Sequence, residues 1–391
     1  MNWDDIIIDA AATDTGMRRA NNQDSFTTVR ASHPEAWRQR GHLFIVADGM
    51  GAHAVGELAS KMACDLIPHT YMKIRGGTSA EAITKAFREV SALIYSRASA
   101  NRDFQGMGTT CSALLLLPEG ALVAHVGDSR VYRTRHGRID QLTFDHSLVW
   151  ELVRRNHLTS EQANLSVPKN VITRSLGPEV NIEVDIEGPL AVEIGDVYLL
   201  CSDGLSGFVD DQEIGAFAAN FHPRDACRYL VNFANLRGGL DNITVLIVRI
   251  GPWIDPDSAE VQQQQPAQNN DQDRRVPEGW RARLAGLLTS RRRPAMHPAA
   301  EDHPYRTAEC PIDGCLIDRL DELTRRIQEQ AIEQTWSLDW TALASLRREA
   351  ADARSTNNLW VTLRRQGEII CLLGEAARYF HKSTGPAPFF H

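Results

Sequence analysis

The chain has 391 residues, of which 43% are hydrophobic and 24% charged, and its formal net charge is −8. This length exceeds that of one typical domain and is sufficient to bury a core. The acidic balance argues against a general nucleic-acid binder, because there is no surplus of basic side chains to neutralise phosphates.

Three features of the sequence bear on location. The first residues, MNWDDIIIDA, are acidic and lack a basic segment, so we expect no secretory signal. No run of about 18 uninterrupted apolar residues occurs, so we expect no membrane span. The 7 cysteines are an odd number, and Cys111 and Cys201 lie in apolar runs, where a free thiol acts as a small hydrophobe. Together these features favour a cytoplasmic protein over a disulfide scaffold.

Strand and helix signals alternate through about residue 250. Apolar residues at helical spacing predict helices at about 54–74 and 79–99. Strands joined by short turns, with fewer and longer helices, indicate an α+β fold of antiparallel sheets covered by helices. Short runs rich in β-formers and leucine predict the strands, at 42–48, 111–117, 121–127, 130–135, 197–203 and 242–250.

Four short strings place an aspartate beside a glycine or asparagine, after or inside a strand-like run. An aspartate at a strand end leaves its carboxylate at the rim of the sheet, with accessible oxygens. Several ionised carboxylates cannot lie together unless cations compensate their repulsion. Oxygen-only ligands indicate Mg²⁺ or Mn²⁺ rather than zinc. The strings are VADG (46–49), VGDS (126–129), SDG (202–204) and LDN (240–242).

A fifth carboxylate, Asp24, lies in the string GMRRANNQD together with Arg19. An arginine beside clustered carboxylates suits an anionic substrate. The residues therefore indicate a metal-dependent hydrolase that acts on an anion.

These strings, in this order, resemble the metal-dependent protein phosphatase family of the 2C type, and DGMG is similar to its bacterial branch. The resemblance covers roughly residues 5–250 and implies an αββα sandwich, with two antiparallel sheets between helical layers. The matching stretches include TDTGMRRANNQDS (13–25), FIVADGMGAHAVGELAS (44–60), MGTTCSALLL (107–116), AHVGDSRVYR (124–133), LTFDHSLV (142–149), NVITRSLG (170–177), GDVYLLCSDGLSGFV (195–209) and GGLDNITVLIV (238–248).

The resemblance implies a role for each carboxylate. The aspartate at the Asp48 position bridges two metal ions, and the carbonyl of Gly49 binds one of them. Asp203 and Asp241 would complete the shell of one ion, while Asp24 would hold metal-bound water. With these residues the family binds two Mn²⁺ or Mg²⁺ ions in each active site.

The resemblance also implies a reaction, the hydrolysis of phosphoserine and phosphothreonine in proteins. A water bridged by the metal pair attacks the phosphorus, without a covalent phosphoenzyme. Arg19 would grip the phosphate for in-line attack, and Asp128 matches the position that binds a third, weaker ion in bacterial relatives. Such enzymes commonly oppose a serine/threonine kinase.

Several alternatives remain open. His53 is either a general acid for the leaving oxygen or a solvent-contacting residue at a helix start. Residues 143–177 resemble the family's mobile flap. The protein could also be a catalytically silent phosphoprotein-binding scaffold, or a tail-centred protein that its phosphatase regulates. A silent relative should lack one of Asp48, Asp203 and Asp241, and this chain has all three.

The remainder of the chain differs in composition. Residues 253–300 are rich in Gln, Asn, Asp and Pro and predict a disordered linker. Residues 301–391 carry apolar stripes at spacings of three and four, which predict a small helical interaction module with an unknown protein partner. Cys310 and Cys315 allow a zinc interpretation. It is the weaker one, because their spacing from the upstream histidines is irregular. The boundaries predicted are therefore 1–252, 253–300 and 301–391.

Overall fold

The structure is a computed structural model that describes residues 6–51, 55–154, 171–256 and 305–384. The described residues up to Pro252 and from Arg306 onward form one compact unit. The predicted disordered linker lies almost entirely outside the described residues. Among the helices within those residues, none has the combined length and apolar character that a membrane span requires.

The described residues form twelve strands. Their bounds are β1 Ile7–Asp14, β2 Asp24–Val29, β3 His42–Met50, β4 Gly108–Thr109, β5 Cys111–Leu117, β6 Gly120–Val126, β7 Arg130–Arg135, β8 Arg138–Gln141, β9 Asp185–Leu190, β10 Val197–Cys201, β11 Ile243–Ile250 and β12 Arg306–Glu309. The helices are α1 Pro34–Arg40, α2 Val55–Lys73, α3 Ser79–Ala100, α4 Leu148–Arg154, α5 Asp203–Ser206, α6 Asp211–Asn220, α7 Pro223–Leu236, α8 Gly314–Glu333, α9 Trp340–Ser355 and α10 Leu359–Thr384.

The strands build two antiparallel sheets. The first has the order β1-β11-β10-β7-β8-β12, and the second has the order β2-β3-β5-β6-β9, with β4 paired to β3. Helices α2 and α3 cover the second sheet, and α6 and α7 cover the first. This arrangement confirms the predicted αββα sandwich.

The alternation of side chains along each strand explains this layering. In β3, Leu43, Ile45 and Ala47 pack with the helical cover. The intervening Phe44 and Val46 are also fully buried and point to the opposite face, where β10 and β11 approach the second sheet. A strand buried on both faces needs apolar residues throughout, which is why these runs do not alternate with polar residues.

The tail, residues 306–384, adds an edge strand and a further helical layer. Strand β12 pairs antiparallel with β8, and the amide of Cys310 donates to the carbonyl of Gly137 at 2.8 Å. Helices α8 to α10 confirm the predicted C-terminal helices. Helix α10 packs on α7, where a Cβ at Gly374 would lie 2.5 Å from Asn232 Oδ1. The glycine therefore allows the two helices to approach closely.

The sequence predicts the tail as a unit of its own, and in the structure the tail packs on the first 252 residues. Its apolar residues Ile369, Leu373 and Ala377 belong to the same core cluster as Phe217 and Phe233. Periodicity predicts that such a stripe is buried, but it does not name the surface that covers it. The boundary at residue 252 stays a prediction.

Candidate active site

The predicted carboxylates come from neighbouring ends of the two sheets. Asp24 opens β2 and pairs directly with Asp48 on β3. Asp203 follows β10 and opens α5, while Asp241 stands two residues before β11. Strands β10 and β11 are antiparallel neighbours, so the end of one lies beside the start of the other. The pairing of β2 with β3 and of β10 with β11 thus brings carboxylates from distant parts of the chain to one rim.

Two glycines in these strings are required by close backbone approach. A Cβ at Gly49 would lie 2.0 Å from the carbonyl oxygen of Gly56, at the start of α2. A Cβ at Gly204 would lie 1.9 Å from the carbonyl oxygen of Asn242. Any larger residue would push the elements apart, which explains why glycine follows Asp48 and Asp203.

The backbone of Asp48 is held by two threonines. Its amide donates to Thr110 Oγ1 at 2.9 Å, and its carbonyl accepts from the Thr109 hydroxyl at 2.8 Å and from the Thr110 amide at 2.8 Å. The sequence pattern alone assigns no role to the threonines of MGTTC. Their function is to position Asp48.

Two further positioning residues lie within the predicted strings. The Ser202 hydroxyl donates to Asp24 Oδ2 at 2.7 Å. The Asn242 side chain accepts from the Gln23 amide at 2.8 Å and donates to the carbonyls of Thr15 and Asn21 at 3.0 and 2.9 Å. Asn242 therefore shapes the loop that carries Arg19. Their positions beside Asp203 and Asp241 were the only signal in the sequence.

Burial and mutual repulsion raise the pKa of the clustered carboxyls. Burial, followed by repulsion from neighbouring aspartates, places the pKa of Asp48 well above its ordinary value. Burial also raises the pKa of Asp24 to about 7, with smaller contributions from Asp203 and Asp241. Burial raises that of Asp203 to about 6 and that of Asp128 to about 8. The site therefore has a strong deficit of positive charge.

Several carboxylate oxygens lack a protein partner. Oδ1 of Asp24, Asp128 and Asp203 is buried, and none of the three makes a hydrogen bond in the described structure. Unpaired buried oxygens are costly, and a cation would satisfy them. An oxygen-only set suits Mg²⁺ or Mn²⁺. The residues present therefore fit a hard divalent cation.

Protein side chains alone do not form a complete shell. Within the residues that the structure describes, no three His, Cys, Asp or Glu side chains are grouped so that they could hold one ion. A bound ion would then take further ligands from water and backbone carbonyls, as Mg²⁺ usually does. Gly49, which follows Asp48, lies near the end of β3 on the same rim.

Arg19 lies at the mouth of this cluster. Its Nη2 atom is 2.7 Å from Asp241 Oδ2, and its side chain is 49% exposed. An exposed surface ion pair is weak, so the guanidinium can exchange this partner for an incoming anion. The predicted phosphate-binding residue is thus joined to the carboxylate cluster.

The other predicted features are described in part. His53 and residues 155–170 of the predicted flap lie outside the described residues. Both ends of that flap are anchored, because the Leu148 amide donates to the Val171 carbonyl at 2.9 Å and the Thr109 amide donates to the Leu176 carbonyl at 3.0 Å. In the region of the alternative zinc interpretation, Cys310 is buried and Cys315 is exposed.

Comparisons with known proteins agree with this geometry. A family model described as protein phosphatase 2C matches residues 17–230. Protein phosphatase PhpP of Streptococcus pneumoniae is 38% identical over 239 residues, which are 60% of this chain and 94% of PhpP.

Two solved structures have the same fold. The S. agalactiae serine/threonine phosphatase has a TM-score of 0.57 and 34% identity, covering 62% of this chain and 99% of that chain. The catalytic domain of the serine/threonine phosphatase PstP, solved with 2 manganese ions, has a TM-score of 0.54 and 32% identity, covering 63% of this chain and 99% of that chain. The chain belongs to the protein phosphatase 2C family.

Proposed function

We propose that this protein is a metal-dependent serine/threonine phosphoprotein phosphatase. The observation that carries the proposal is the group of buried, unpaired carboxylate oxygens on Asp24, Asp128 and Asp203 beside an exposed arginine. Relatives named as serine/threonine phosphatases, one of them solved with 2 manganese ions, support it. A silent scaffold is disfavoured, because it would have no reason to keep uncompensated carboxylates.

The metal-binding residues are assigned from position and from the family. Asp48, the carbonyl of Gly49, Asp203 and Asp241 would hold two Mn²⁺ or Mg²⁺ ions. Asp24 would orient metal-bound water, with one oxygen already engaged by Ser202. When bound, the ions neutralise phosphate oxygens and lower the pKa of a water.

Asp128 is a candidate ligand for a third ion. It is buried beside Asp203, whose charge contributes to its raised pKa. Its unpaired Oδ1 atom adds to the group that a cation would satisfy.

The chain's own residues supply the remaining functions. Arg19 would leave Asp241 and bind two phosphate oxygens, which holds the phosphorus in position for in-line attack. Thr109 and Thr110 fix the backbone of Asp48, so that its carboxylate does not move when charge develops. We assign no general acid.

The biological setting follows as part of the proposal. The substrates are phosphoserine and phosphothreonine proteins in the cytoplasm, opposed by a serine/threonine kinase. Helices α8 to α10 would then modulate substrate access or recruit a protein, because they lie beyond residue 230, where the family match ends.

Metal dependence tests the proposal. The purified chain, treated with chelator, should hydrolyse a phosphothreonine peptide only after Mn²⁺ or Mg²⁺ is added, and Zn²⁺ should not replace them. Inductively coupled plasma analysis of the dialysed protein would give the number of ions bound. Full turnover in chelator, with no ion bound, would contradict the assignment.

A further inference from the structure

A groove of about 820 Å³ lies between the active-site loops and the first tail helix, α8. Arg18 and Leu240 line it. Each is next in sequence to a proposed site residue, since Arg18 precedes Arg19 and Leu240 precedes Asp241. Consecutive Cα atoms are about 3.8 Å apart, so the groove begins beside the phosphate-binding position.

The opposite wall is one face of α8. It carries Arg319, Leu323, Arg326, Ile327 and Gln330, whose spacings of three and four place them on one side of a helix. Over eleven residue steps this wall extends about 16 Å, the length of about five extended peptide residues. Helix α8 lies beyond residue 230, so the family match does not include this wall.

The charge of the groove is positive. Four arginines line it, namely Arg18, Arg237, Arg319 and Arg326, against one acidic residue, Glu322.

Two of the four arginines are already near a buried acid. Arg237 is neutralised by the buried Glu213 at 2.6 and 2.8 Å. Arg319 donates to Gln212 at 3.2 Å and lies 3.7 Å from Glu213. Arg326 is exposed and makes no salt bridge with any described residue. Arg326 therefore leaves uncompensated positive charge on the α8 wall of the groove.

The lining also has apolar surface. Leu240 is 51% exposed, and Phe208 and Ile327 are partly buried beside it. Exposed apolar surface beside basic side chains fits a peptide better than a small anion, because inorganic phosphate would leave the apolar part unused.

We propose that this groove binds the part of the phosphoprotein next to the phosphorylated residue, and that it selects acidic and apolar side chains. The inference rests on the proposed phosphatase function. Charge complementarity identifies the occupant: carboxylates pair with Arg326 and Arg319, and an apolar side chain covers Leu240. The tail thus supplies the substrate specificity of the active site.

The test uses the full chain with Mn²⁺ and two phosphothreonine peptides, flanked by Asp and Leu or by Lys and Leu. Each peptide is made in two versions, one with the charged residues before the phosphothreonine and one with them after it. The measured quantity is kcat/KM for each peptide divided by kcat/KM for an aryl phosphate. The wild type should prefer the acidic flank on one side by about tenfold, and the preference should weaken at high salt.

Charge reversal in the groove should change this preference. Arg326→Glu should lower the ratio for the acidic peptide by about three- to tenfold and raise it for the lysine peptide. The matched control is Arg348→Glu. Arg348 is an exposed arginine on α9 that makes no salt bridge with any described residue and lies outside the groove. It should keep the wild-type preference. If thermal unfolding shows that Arg326→Glu is misfolded, Arg326→Gln takes its place.

Three results would overturn the inference. Equal kcat/KM for acidic and lysine peptides, or the same preference in Arg326→Glu and Arg348→Glu, removes the groove while the phosphatase assignment stands. Hydrolysis of the aryl phosphate with no turnover of any phosphopeptide removes the proposed function, and the groove proposal with it.

Discussion

Replacing Asp203 by asparagine should stabilise the metal-free protein, and with metal added it should lower turnover by orders of magnitude. Asp203 is half-buried, and burial with the repulsion of Asp241 raises its pKa to about 6. At pH 8 the folded protein therefore carries an ionised carboxylate in an unfavourable environment, and asparagine cannot ionise. The same charge is needed to bind the ion that hydrolysis requires.

The structure sets the size of the effect. A pKa raised from 3.8 to about 6 corresponds to at most about 3 kcal/mol at pH 8. Proton uptake by Asp24 and Asp48 and partial solvent access reduce this to about 1–2 kcal/mol. Because the folded pKa lies above the unfolded one, the penalty is absent below about pH 4 and complete above about pH 6. Asp203→Asn should therefore gain its advantage only as the pH rises.

Urea unfolding of chelator-treated protein at pH 8 and pH 4.5 measures this difference. Asp65→Asn is the matched control, because Asp65 is exposed on α2 and its substitution should change stability by less than about 0.5 kcal/mol. Mn²⁺ at a hundred times its Kd should stabilise the wild type by about 2.7 kcal/mol. The Asp203→Asn variant should gain much less from Mn²⁺ and should turn over substrate orders of magnitude more slowly.

Three results would refute the reasoning. A lower stability of metal-free Asp203→Asn at pH 8 would show that the carboxylate is not in an unfavourable environment. If Mn²⁺ stabilised the Asp203→Asn variant as much as the wild type, Asp203 would not be a metal ligand. Near wild-type turnover by the variant would show that Asp203 has no role in hydrolysis.

Three more predictions concern Arg19, the tail and Gly374. Arg19→Ala should raise KM and lower kcat by about a hundredfold, measured with a phosphopeptide, because phosphate positioning is lost; unchanged kinetics would remove Arg19 from the site. A chain ending at Pro252 should fold and hydrolyse an aryl phosphate with metal, because the family match ends at residue 230 and the S. agalactiae phosphatase aligns over 99% of its own length with only 62% of this chain. Insoluble protein or loss of that activity would place the tail within the phosphatase fold. Gly374→Ala should destabilise the protein by about 1–2 kcal/mol in thermal unfolding, because the new Cβ meets Asn232. The control is Gly314→Ala, where the new Cβ meets open space and the change should be neutral or stabilising. Equal effects of the two substitutions would argue against the close packing of α10 on α7.

The strands of the two sheets were predictable from local pattern. The run at 42–48 became β3, and those at 111–117 and 197–203 became β5 and β10, because strands buried on both faces require unbroken apolar residues. The predicted helices at 54–74 and 79–99 became α2 and α3 for a similar reason, since their apolar stripe must cover a sheet.

The positioning contacts were not predictable in this way. Thr109, Ser202 and Asn242 act through hydrogen bonds to residues that are 61, 178 and 219 positions away. A threonine or asparagine near a strand end has many local partners available, so its sequence context does not reveal a distant one.

By itself, the sequence determined which carboxylates lie beside strands and turns, and that the proposed metal ligands offer only oxygen atoms. Those properties depend on residue type and on local turns, which a short string such as SDG indicates. The tertiary structure alone decided that β12 extends the first sheet, that α10 packs on α7 through Gly374, and that α8 faces the active-site loops. An apolar stripe states how much surface a helix must bury, whereas the surface that covers it depends on shape complementarity between segments far apart in the chain.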